Sequence, residues 1–336
     1  MRAGLVRAAN TLLARQLARR WRNSPTLSSA LSEPHRILVV ELGGLGDAVC
    51  LLPAFDALRA RFPRADFSLV CRDYAAGLFD LVAPGYLNVV GITKSRTGFK
   101  RAHDTLRHTQ WDLVVSTCWS TWTTALALKL HAVALVGFWR PSRVECHGFR
   151  GDTTPVVTCE DHLSLLRWKA VAPLGIAIPA PVPAPRLAPR EHDWQSALKR
   201  HPTLAQPYTV LVPFSDNANR SLSTAEARDL QDIIRRQGQR VLLVGGRREA
   251  SRLRSLGADC ISDLTIPEFA AVLAHADAVV SVVTAAAHLA AAAGTRTFVV
   301  CKAIDPGPNA PVGLNVRAAR LDLSDTQRRL AEWLSS

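Results

Sequence analysis

The stretch that decides the fold is ILVVELGGLGDAVCLLPAFDAL, residues 37–58. It begins with four apolar residues, a run typical of a buried strand. Gly43, Gly44 and Gly46 follow, Asp47 comes directly after them, and a second apolar segment comes next. This order predicts a strand, a tight glycine turn and a helix. Backbone N–H groups and one carboxylate would then lie at the carboxyl end of a parallel strand, where open α/β sheets bind ligands.

Strand-like and helix-like segments alternate on both sides of this stretch, and the second half of the chain begins in the same way as the first. Such alternation implies right-handed crossovers and parallel sheets. Residues 178–190, IPAPVPAPRLAPR, are dense in proline, which favours a semi-rigid extended spacer. The sequence therefore predicts two Rossmann-like α/β domains, residues 36–177 and 206–336, with a linker over residues 178–205. A cleft between the domains would hold the ligands.

Length and charge narrow the class of partner. At 336 residues the chain is about twice a typical domain in size. The balance of 41 basic and 28 acidic residues gives a net charge of +13, which favours a nucleotide, a nucleic acid or an acidic membrane surface. No charge-free apolar run is long enough for a membrane-spanning helix. Seven cysteines without a CxxC pair indicate neither a zinc site nor a disulfide framework and favour a reducing compartment.

The N-terminal arm, residues 1–35, begins with a basic amphipathic segment that has no acid before residue 24. One interpretation is a helix that lies on an anionic membrane face. A helix docked on the protein's own surface, a disordered arm and an organellar transit peptide remain alternatives. Arginines interrupt any signal-peptide core, so secretion is not expected.

The glycine loop departs from the dinucleotide-binding fingerprint, which would read G-x-G-x-x-G, because here the order is G-G-x-G-D. A carboxylate directly after the turn would repel a pyrophosphate. Asp47 therefore indicates contact with a neutral, hydroxyl-bearing group. The alternative is that Asp47 only caps the helix, which is a common role.

Two places in the second half offer groups for a nucleotide. Ser215 and Arg220 belong to a polar loop after a strand, and a hydroxyl with a guanidinium suits a phosphate. A solvated surface loop is the commoner case. Glu249 follows a Gly-Gly strand end, where its carboxylate could bind a ribose diol or only complement a helix dipole.

A third place is the start of an alanine-rich helix, with Thr284 as its predicted cap and Gly294 as its predicted terminator. Free N–H groups in the first turn, near Ala285, make an anion site. His288 lies one turn in, although a lone histidine on an apolar helix is usually a core residue. The sequence has no D-x-D pair, so a metal bridging a diphosphate is not suggested.

Together these places resemble glycosyltransferase family 9, the heptosyltransferases of lipopolysaccharide core assembly. Residues 283–294 match the family's D-T-G-x-x-H-L-A-A-A-x-G, except that Val283 replaces the acid and Ala285 the glycine. The remaining matches are Gly46-Asp47, Pro53-Ala54-Phe55, Arg220 after the polar loop, Glu249, Asp305-Pro306 and Pro311-Val312-Gly313.

The resemblance implies a GT-B fold and an inverting, metal-independent transfer, typically of heptose from ADP-heptose, with no cofactor besides this nucleotide-sugar substrate. Asp47 would be the general base, and the glycine loop would lie near the acceptor. Arg220 and the helix start at Thr284 would stabilise the departing diphosphate. Glu249 would bind the nucleoside, and His288 the phosphate or sugar.

On this interpretation the acceptor is an anionic glycolipid of the lipopolysaccharide core type. The protein would be cytoplasmic and peripheral at the inner membrane face, with no nucleic-acid partner. The changes at Val283 and Ala285 leave open whether activity is redirected or lost. Two alternatives remain. A nucleotide-dependent oxidoreductase is disfavoured by the incomplete glycine fingerprint. A non-catalytic sugar-nucleotide or nucleic-acid binding protein is disfavoured because aromatic and basic residues do not interleave.

Overall fold

The computed structural model describes residues 12, 33–83, 85, 87–118, 120–138, 155–158, 160–257, 259–302, 306–321 and 323–336. The predicted amphipathic helix of the N-terminal arm and the matched Asp305 lie outside these residues. The chain divides into two compact units, Met1–Pro183 and Ala184–Ser336. Each unit is built around a parallel sheet of its own.

The described residues of the N-terminal unit form five parallel strands, which are β1 (Arg36–Glu41), β2 (Asp66–Arg72), β3 (Leu87–Ile92), β4 (Trp111–Ser116) and β5 (Ala132–Val136). Its helices are α1 (Leu45–Arg61), α2 (Ala76–Val82), α3 (Arg96–Leu106), α4 (Thr121–Lys129) and α5 (Leu163–Val171). The strand order is β3-β2-β1-β4-β5. The chain therefore reverses its direction of progress between β1 and β4, and ligands bind at such switch points in open α/β sheets.

Strand β1 lies at the centre of this sheet because its residues are apolar on both faces. Ile37, Leu38, Val39 and Val40 are all fully buried. Val39 pairs with Leu69 on one side. A continuous apolar run is the pattern of a strand that is covered on both faces. The turn that follows β1 is thus anchored in the middle of the unit.

The C-terminal unit has six parallel strands, which are β6 (Thr209–Val212), β7 (Val241–Val244), β8 (Asp259–Ile261), β9 (Ala278–Val282), β10 (Thr297–Cys301) and β11 (Val316–Arg320). Its helices are α6 (Glu191–Arg200), α7 (Thr224–Arg236), α8 (Ala250–Arg254), α9 (Ile266–Ala274), α10 (Ala285–Ala292), α11 (Pro306–Asn309) and α12 (Leu323–Ser335). The order β11-β10-β9-β6-β7-β8 places the switch point between β6 and β9. Counted from its own first strand, each unit has the order 3-2-1-4-5, and β11 is a sixth strand in the second.

The prediction of two Rossmann-like parallel-sheet domains, the GT-B class, is confirmed. Two segments differ from their sequence assignment. Residues 191–205, assigned to the linker, form α6 and a short 3-10 turn. The proline-rich run ends at Pro189 and the next proline is Pro202, so no proline interrupts α6, and the Trp194 ring stacks on His275 at 3.9 Å. Strand β11 was not predicted, because VRAAR has too few apolar residues to stand out as an edge strand.

Candidate functional site

Asp47 lies in the first turn of α1, directly after the carboxyl end of β1. Its Oδ2 accepts a hydrogen bond from the Gly44 N–H at 2.7 Å, and Gly44 is the N-cap of the helix. Asp47 thus performs a capping role, although from the third helical position rather than from the cap itself. Its Oδ1 accepts a hydrogen bond from Arg167 Nη2 at 2.6 Å. The Asp47 side chain keeps 29% of its surface exposed, which leaves it accessible to a substrate.

Arg167 on α5 was not identified from the sequence. It donates from Nε to Glu41 Oε2 at 3.2 Å and from Nη1 to the Leu163 carbonyl at 3.0 Å. The side chains of Arg167 and Glu41 are 2% and 0% exposed. Burial disfavours the guanidinium charge, but the Glu41 and Asp47 carboxylates outweigh it, so the pKa of Arg167 is raised. Glu41, Asp47 and Arg167 form what we term the carboxylate–arginine cluster, with two negative charges on one positive.

The buried Glu41 carboxylate has further hydrogen-bond partners. Its Oε1 accepts from the Gly43 N–H at 2.9 Å, and its Oε2 accepts from the Thr117 hydroxyl at 2.9 Å. The sequence carried a signal for this arrangement, because an acid ending a buried apolar strand and an arginine among buried apolar helix residues are both costly unless they are paired. The signal could not name the partners, since 126 positions separate Glu41 from Arg167.

Gly43 lies where no side chain fits. A Cβ atom added at Gly43 would be 2.6 Å from Asp47 Cβ and 2.6 Å from Glu41 Oε1. At Gly44 the nearest atom, Asp47 Oδ2, would be 3.4 Å away. Gly46 lies in the first turn of α1. The glycine at position 43 is therefore required by the close approach of the two carboxylates.

The predicted donor residues of the C-terminal unit follow three neighbouring strands. Ser215 and Arg220 come after β6, Glu249 after β7, and Thr284 after β9. Strand β6 pairs in parallel with both β7 and β9. The carboxyl ends of parallel strands meet at one edge of a sheet, so these residues lie along the edge that contains the switch point.

The loop after β6 is held by its own hydrogen bonds, although residues 216–219 are exposed to solvent. Ser221 Oγ accepts from the Ser215 N–H at 2.9 Å and donates to the Ser215 carbonyl at 3.0 Å. Asn217 Oδ1 accepts from the Asn219 N–H at 3.1 Å and starts the 3-10 turn that carries Arg220. Arg220 Nε is buried and has no hydrogen-bond partner in the described part of the chain. A buried N–H without an acceptor is costly, and a bound anion would supply the acceptor.

Glu249 follows β7 in a geometry that repeats the Asp47 turn. Its Oε2 accepts from the Gly246 N–H at 2.8 Å, so a glycine cap and an acid three residues later pair reciprocally. One carboxylate oxygen of Glu249 therefore binds the start of the helical turn, which is one of the two roles that the sequence left open for this residue. A Cβ atom at Gly245 would lie 2.7 Å from this oxygen, which explains why the residue before the cap is also a glycine.

Thr284 is the N-cap of α10, as predicted, and its Oγ1 accepts from the Ala286 N–H at 3.2 Å. Gly294 follows the end of the helix with φ of +84°, which confirms its predicted role as terminator. Ala285 is the first helical residue and is half-buried. His288 is 5% exposed, so nearly all of its imidazole lies inside the unit.

Val283, which stands where the family pattern has an acid, is 3% exposed. It packs in an apolar cluster with Ala287, Val299 and Cys301. A carboxylate would be unfavourable among these neighbours unless it were paired. The replacement of the acid therefore agrees with the apolar surroundings of this position.

Among the residues that the structure describes, no group of three or more His, Cys, Asp or Glu side chains is arranged to hold a metal ion. No helix there combines the length and apolar character needed to cross a membrane.

Comparisons with known proteins give a family match and several similar solved structures. The profile of glycosyltransferase family 9 (heptosyltransferase) matches residues 99–332. Among solved structures, E. coli heptosyltransferase WaaC with ADP is 20% identical at a TM-score of 0.70, covering 89% of this chain and 99% of that one. E. coli ADP-heptose LPS heptosyltransferase II is 15% identical at a TM-score of 0.73, and the match covers 89% of this chain and 97% of that one. A family 9 glycosyl transferase from Veillonella parvula is 15% identical at a TM-score of 0.69, and the match covers 89% of this chain and 88% of that one. No curated protein sequence matches the chain.

Proposed function

This chain belongs to glycosyltransferase family 9, and from this premise we propose that it is an inverting, metal-independent heptosyltransferase. Its donor is ADP-heptose, and its acceptor is an anionic glycolipid of the lipopolysaccharide core type. The nature of the donor is supported by structural relatives, since E. coli WaaC has been solved with ADP and with ADP-2-deoxy-2-fluoro heptose. The net charge of +13 suits an anionic acceptor.

The observation that carries the proposal is the partly exposed carboxylate at the carboxyl end of β1. Asp47 accepts hydrogen bonds from the Gly44 N–H and from Arg167, and 29% of its side-chain surface is exposed to solvent, where an acceptor hydroxyl can approach. In the proposed step this hydroxyl oxygen bonds to the anomeric carbon of the donor while its proton passes to Asp47. The bond from the anomeric carbon to the diphosphate breaks, and its electron pair leaves with ADP. A single displacement of this kind inverts the anomeric configuration.

The leaving diphosphate gains negative charge, and we assign the C-terminal unit to its stabilisation. Arg220 offers a buried Nε that lacks an acceptor in the described part of the chain. The first turn of α10 offers backbone N–H groups and the positive end of the helix dipole. Together these groups would replace the charge stabilisation that a metal ion gives in other transferases.

A panel of nucleotides and nucleotide sugars tests the donor. We expect ADP-heptose to raise the melting temperature more than UDP-sugars or NADPH do, because a ligand at a hundredfold excess over its Kd stabilises the native state by about 2.7 kcal/mol. Preferential stabilisation by NADPH would favour an oxidoreductase. Stabilisation by RNA that falls steeply with salt would favour a nucleic-acid binding protein.

Replacing Asp47 tests the general base. Asp47→Asn keeps the shape of the side chain but cannot take up the proton, so transfer should fall by about 10²–10⁴-fold. The affinity for ADP should stay at the parent value, because the donor residues lie in the other unit. Transfer at the parent rate would leave Asp47 with only its capping role.

We also propose that the protein is peripheral at the cytoplasmic face of the inner membrane. The support is the basic, amphipathic sequence of the N-terminal arm. Co-sedimentation of the full chain with anionic vesicles, compared with neutral ones, tests this location.

A further inference from the structure

The carboxylate–arginine cluster contains two charged groups that the proposed mechanism does not use. Arg167 reaches from α5 to Asp47 at 2.6 Å and to Glu41 at 3.2 Å. Glu41 is fully buried and has no direct access to a substrate. Buried ion pairs rarely stabilise a fold more than well-packed apolar residues would. Stability alone is therefore a weak reason for two extra buried charges beside Asp47.

A guanidinium beside a general base has two opposing effects. It fixes the carboxylate, but it also favours the ionised form and so weakens the carboxylate as a proton acceptor. A second carboxylate on the same guanidinium offsets this loss of basicity, while the guanidinium still fixes the first carboxylate in place. In this cluster, Glu41 supplies that second carboxylate from the end of β1.

We propose that Arg167 is a positioning residue for Asp47, and that Glu41 preserves the basicity of Asp47 by sharing the charge of the guanidinium. This proposal rests on the proposed role of Asp47 as general base. It adds two residues to the machinery, neither of which touches the substrate.

The hydrogen bonds show how the carboxylate is held. Asp47 Oδ1 is fixed by Arg167 and Oδ2 by the Gly44 N–H, so rotation of the carboxylate plane would break one bond or both. These two bonds therefore set the plane of the carboxylate, whose partly exposed surface an acceptor hydroxyl can approach.

Three thiols among the described residues also lie near the cluster, and their burial favours the neutral form. Burial raises the pKa of Cys50 on α1 to about 12, against a lowering by Arg167. Burial also raises the pKa of Cys71 on β2 to about 12 and raises that of Cys118, after β4, well above its usual value. Within the cluster, the charge next to Asp47 is therefore that of Arg167, which Glu41 shares.

Direct titration of Asp47 tests the proposal without any substrate. The carboxyl carbons of ¹³C-labelled aspartates are followed by NMR across pH, and the Asp47 signal is assigned by its absence in Asp47→Asn. In Glu41→Gln the guanidinium pairs with the Asp47 carboxylate alone, so the midpoint pH of the Asp47 titration should fall. In Glu41→Gln with Arg167→Met the cation is gone, and the midpoint should rise by about one to three pH units relative to Glu41→Gln. Lys169→Met breaks another ion pair of α5, with Asp161, and should leave the midpoint in place.

An Asp47 midpoint that is unchanged or raised in Glu41→Gln would overturn the proposal, as would an equal shift in Lys169→Met. If Glu41→Gln does not fold, Arg167→Lys takes its place. A compact ammonium cannot bridge both carboxylates, so kcat with ADP-heptose should fall tenfold or more at unchanged donor KM, and an unchanged kcat would overturn the proposal.

The transfer assay separates this proposal from the one on which it rests. If Asp47→Asn transfers heptose at the parent rate, the general-base role fails whatever the midpoints show. If Asp47→Asn is inactive and the midpoints do not move, only the role of Glu41 and Arg167 fails. If both proposals are correct, kcat/KM plotted against pH should fall on the acid side at the midpoint pH that NMR gives for Asp47 in each variant.

Discussion

Single residues around Asp47 are constrained by distances rather than by type alone. Gly43 is needed because the Asp47 and Glu41 side chains both approach its Cα. The same closeness lets one guanidinium bind both carboxylates. A change of one methyl group at this turn therefore reaches the proposed base directly.

Gly43→Ala should displace Asp47 and lower transfer by about a hundredfold, because a misplacement of about 1 Å costs that much in a positioned group. The forced packing should also lower the free energy of unfolding by about 1–3 kcal/mol. Gly44→Ala is the matched comparison, since its Cβ has 3.4 Å to the nearest atom. Equal losses of rate and stability in the two variants would contradict this steric argument.

Arg220→Ala should weaken ADP binding by about 10–100-fold, because a hydrogen bond to a charged group contributes about 1.5–3 kcal/mol. Isothermal titration calorimetry measures the affinity. Arg235→Ala removes an exposed arginine of α7 that pairs only with Asp232 among the described residues, and it serves as the control. An ADP affinity of Arg220→Ala equal to that of the control would remove Arg220 from the donor site.

At the scale of elements, the same capping arrangement recurs at two turns that connect a strand to a helical segment. After β1 and after β7, a glycine caps the following turn and an acid three residues later accepts its N–H, at 2.7 Å for Gly44 and 2.8 Å for Gly246. After β9 the cap is the Thr284 side chain instead. The first turn of α10, which we assign to the diphosphate together with Arg220, contains no acid, and its hydroxyl cap leaves the positive charge of the helix end uncancelled.

Thr284→Ala should lower the free energy of unfolding by about 1 kcal/mol, because the cap of α10 is lost. It should also weaken ADP binding about two- to fivefold, since the first turn that presents the N–H groups is loosened. Thr265→Ala removes the N-cap of α9 and is the matched control. It should lose stability without losing ADP affinity. A loss of affinity in both variants would point to a general effect of unfolding.

At the scale of the whole molecule, each unit has its own sheet and core. The C-terminal unit begins with α6, which is bound to α9 through Glu268. This carboxylate accepts hydrogen bonds from the Ser196 hydroxyl, the Thr265 N–H and Arg200. The chain is thereby fixed to the second unit soon after the division at Pro183.

Stability of the C-terminal unit should fall in acid through Glu268. Burial alone would raise the pKa of this carboxyl, but hydrogen bonds from Ser196, Thr265 and Arg200 outweigh it and lower the pKa to about 2. The contribution is therefore complete above the unfolded pKa of about 4.5 and is lost as the pH falls towards 2, by about 3 kcal/mol in all. Glu268→Gln should flatten this part of the stability curve, measured by urea unfolding at each pH. Glu191→Gln, exposed on α6, should not.

The sequence was sufficient where structure depends on neighbours along the chain. Apolar runs predicted the central strands, and Thr284 and Gly294 marked the ends of α10 correctly. It was insufficient where structure depends on distant partners. Glu41 and Arg167 each carried a buried charge without a visible counterpart, because folding alone brings them together. Helix α6 was missed for the same reason, since its apolar face is small and is completed by α9.

The shared strand order of the two units has a further consequence. Asp47 and the Ser215–Arg220 loop each follow the first strand of their own sheet, so they occupy equivalent positions in the two topologies. The position in the first unit holds the Asp47 carboxylate, and that in the second holds the Arg220 guanidinium. The same strand order therefore supports a proposed proton acceptor in one unit and a proposed anion-binding arginine in the other, and the difference lies in the loop residues that follow the first strand.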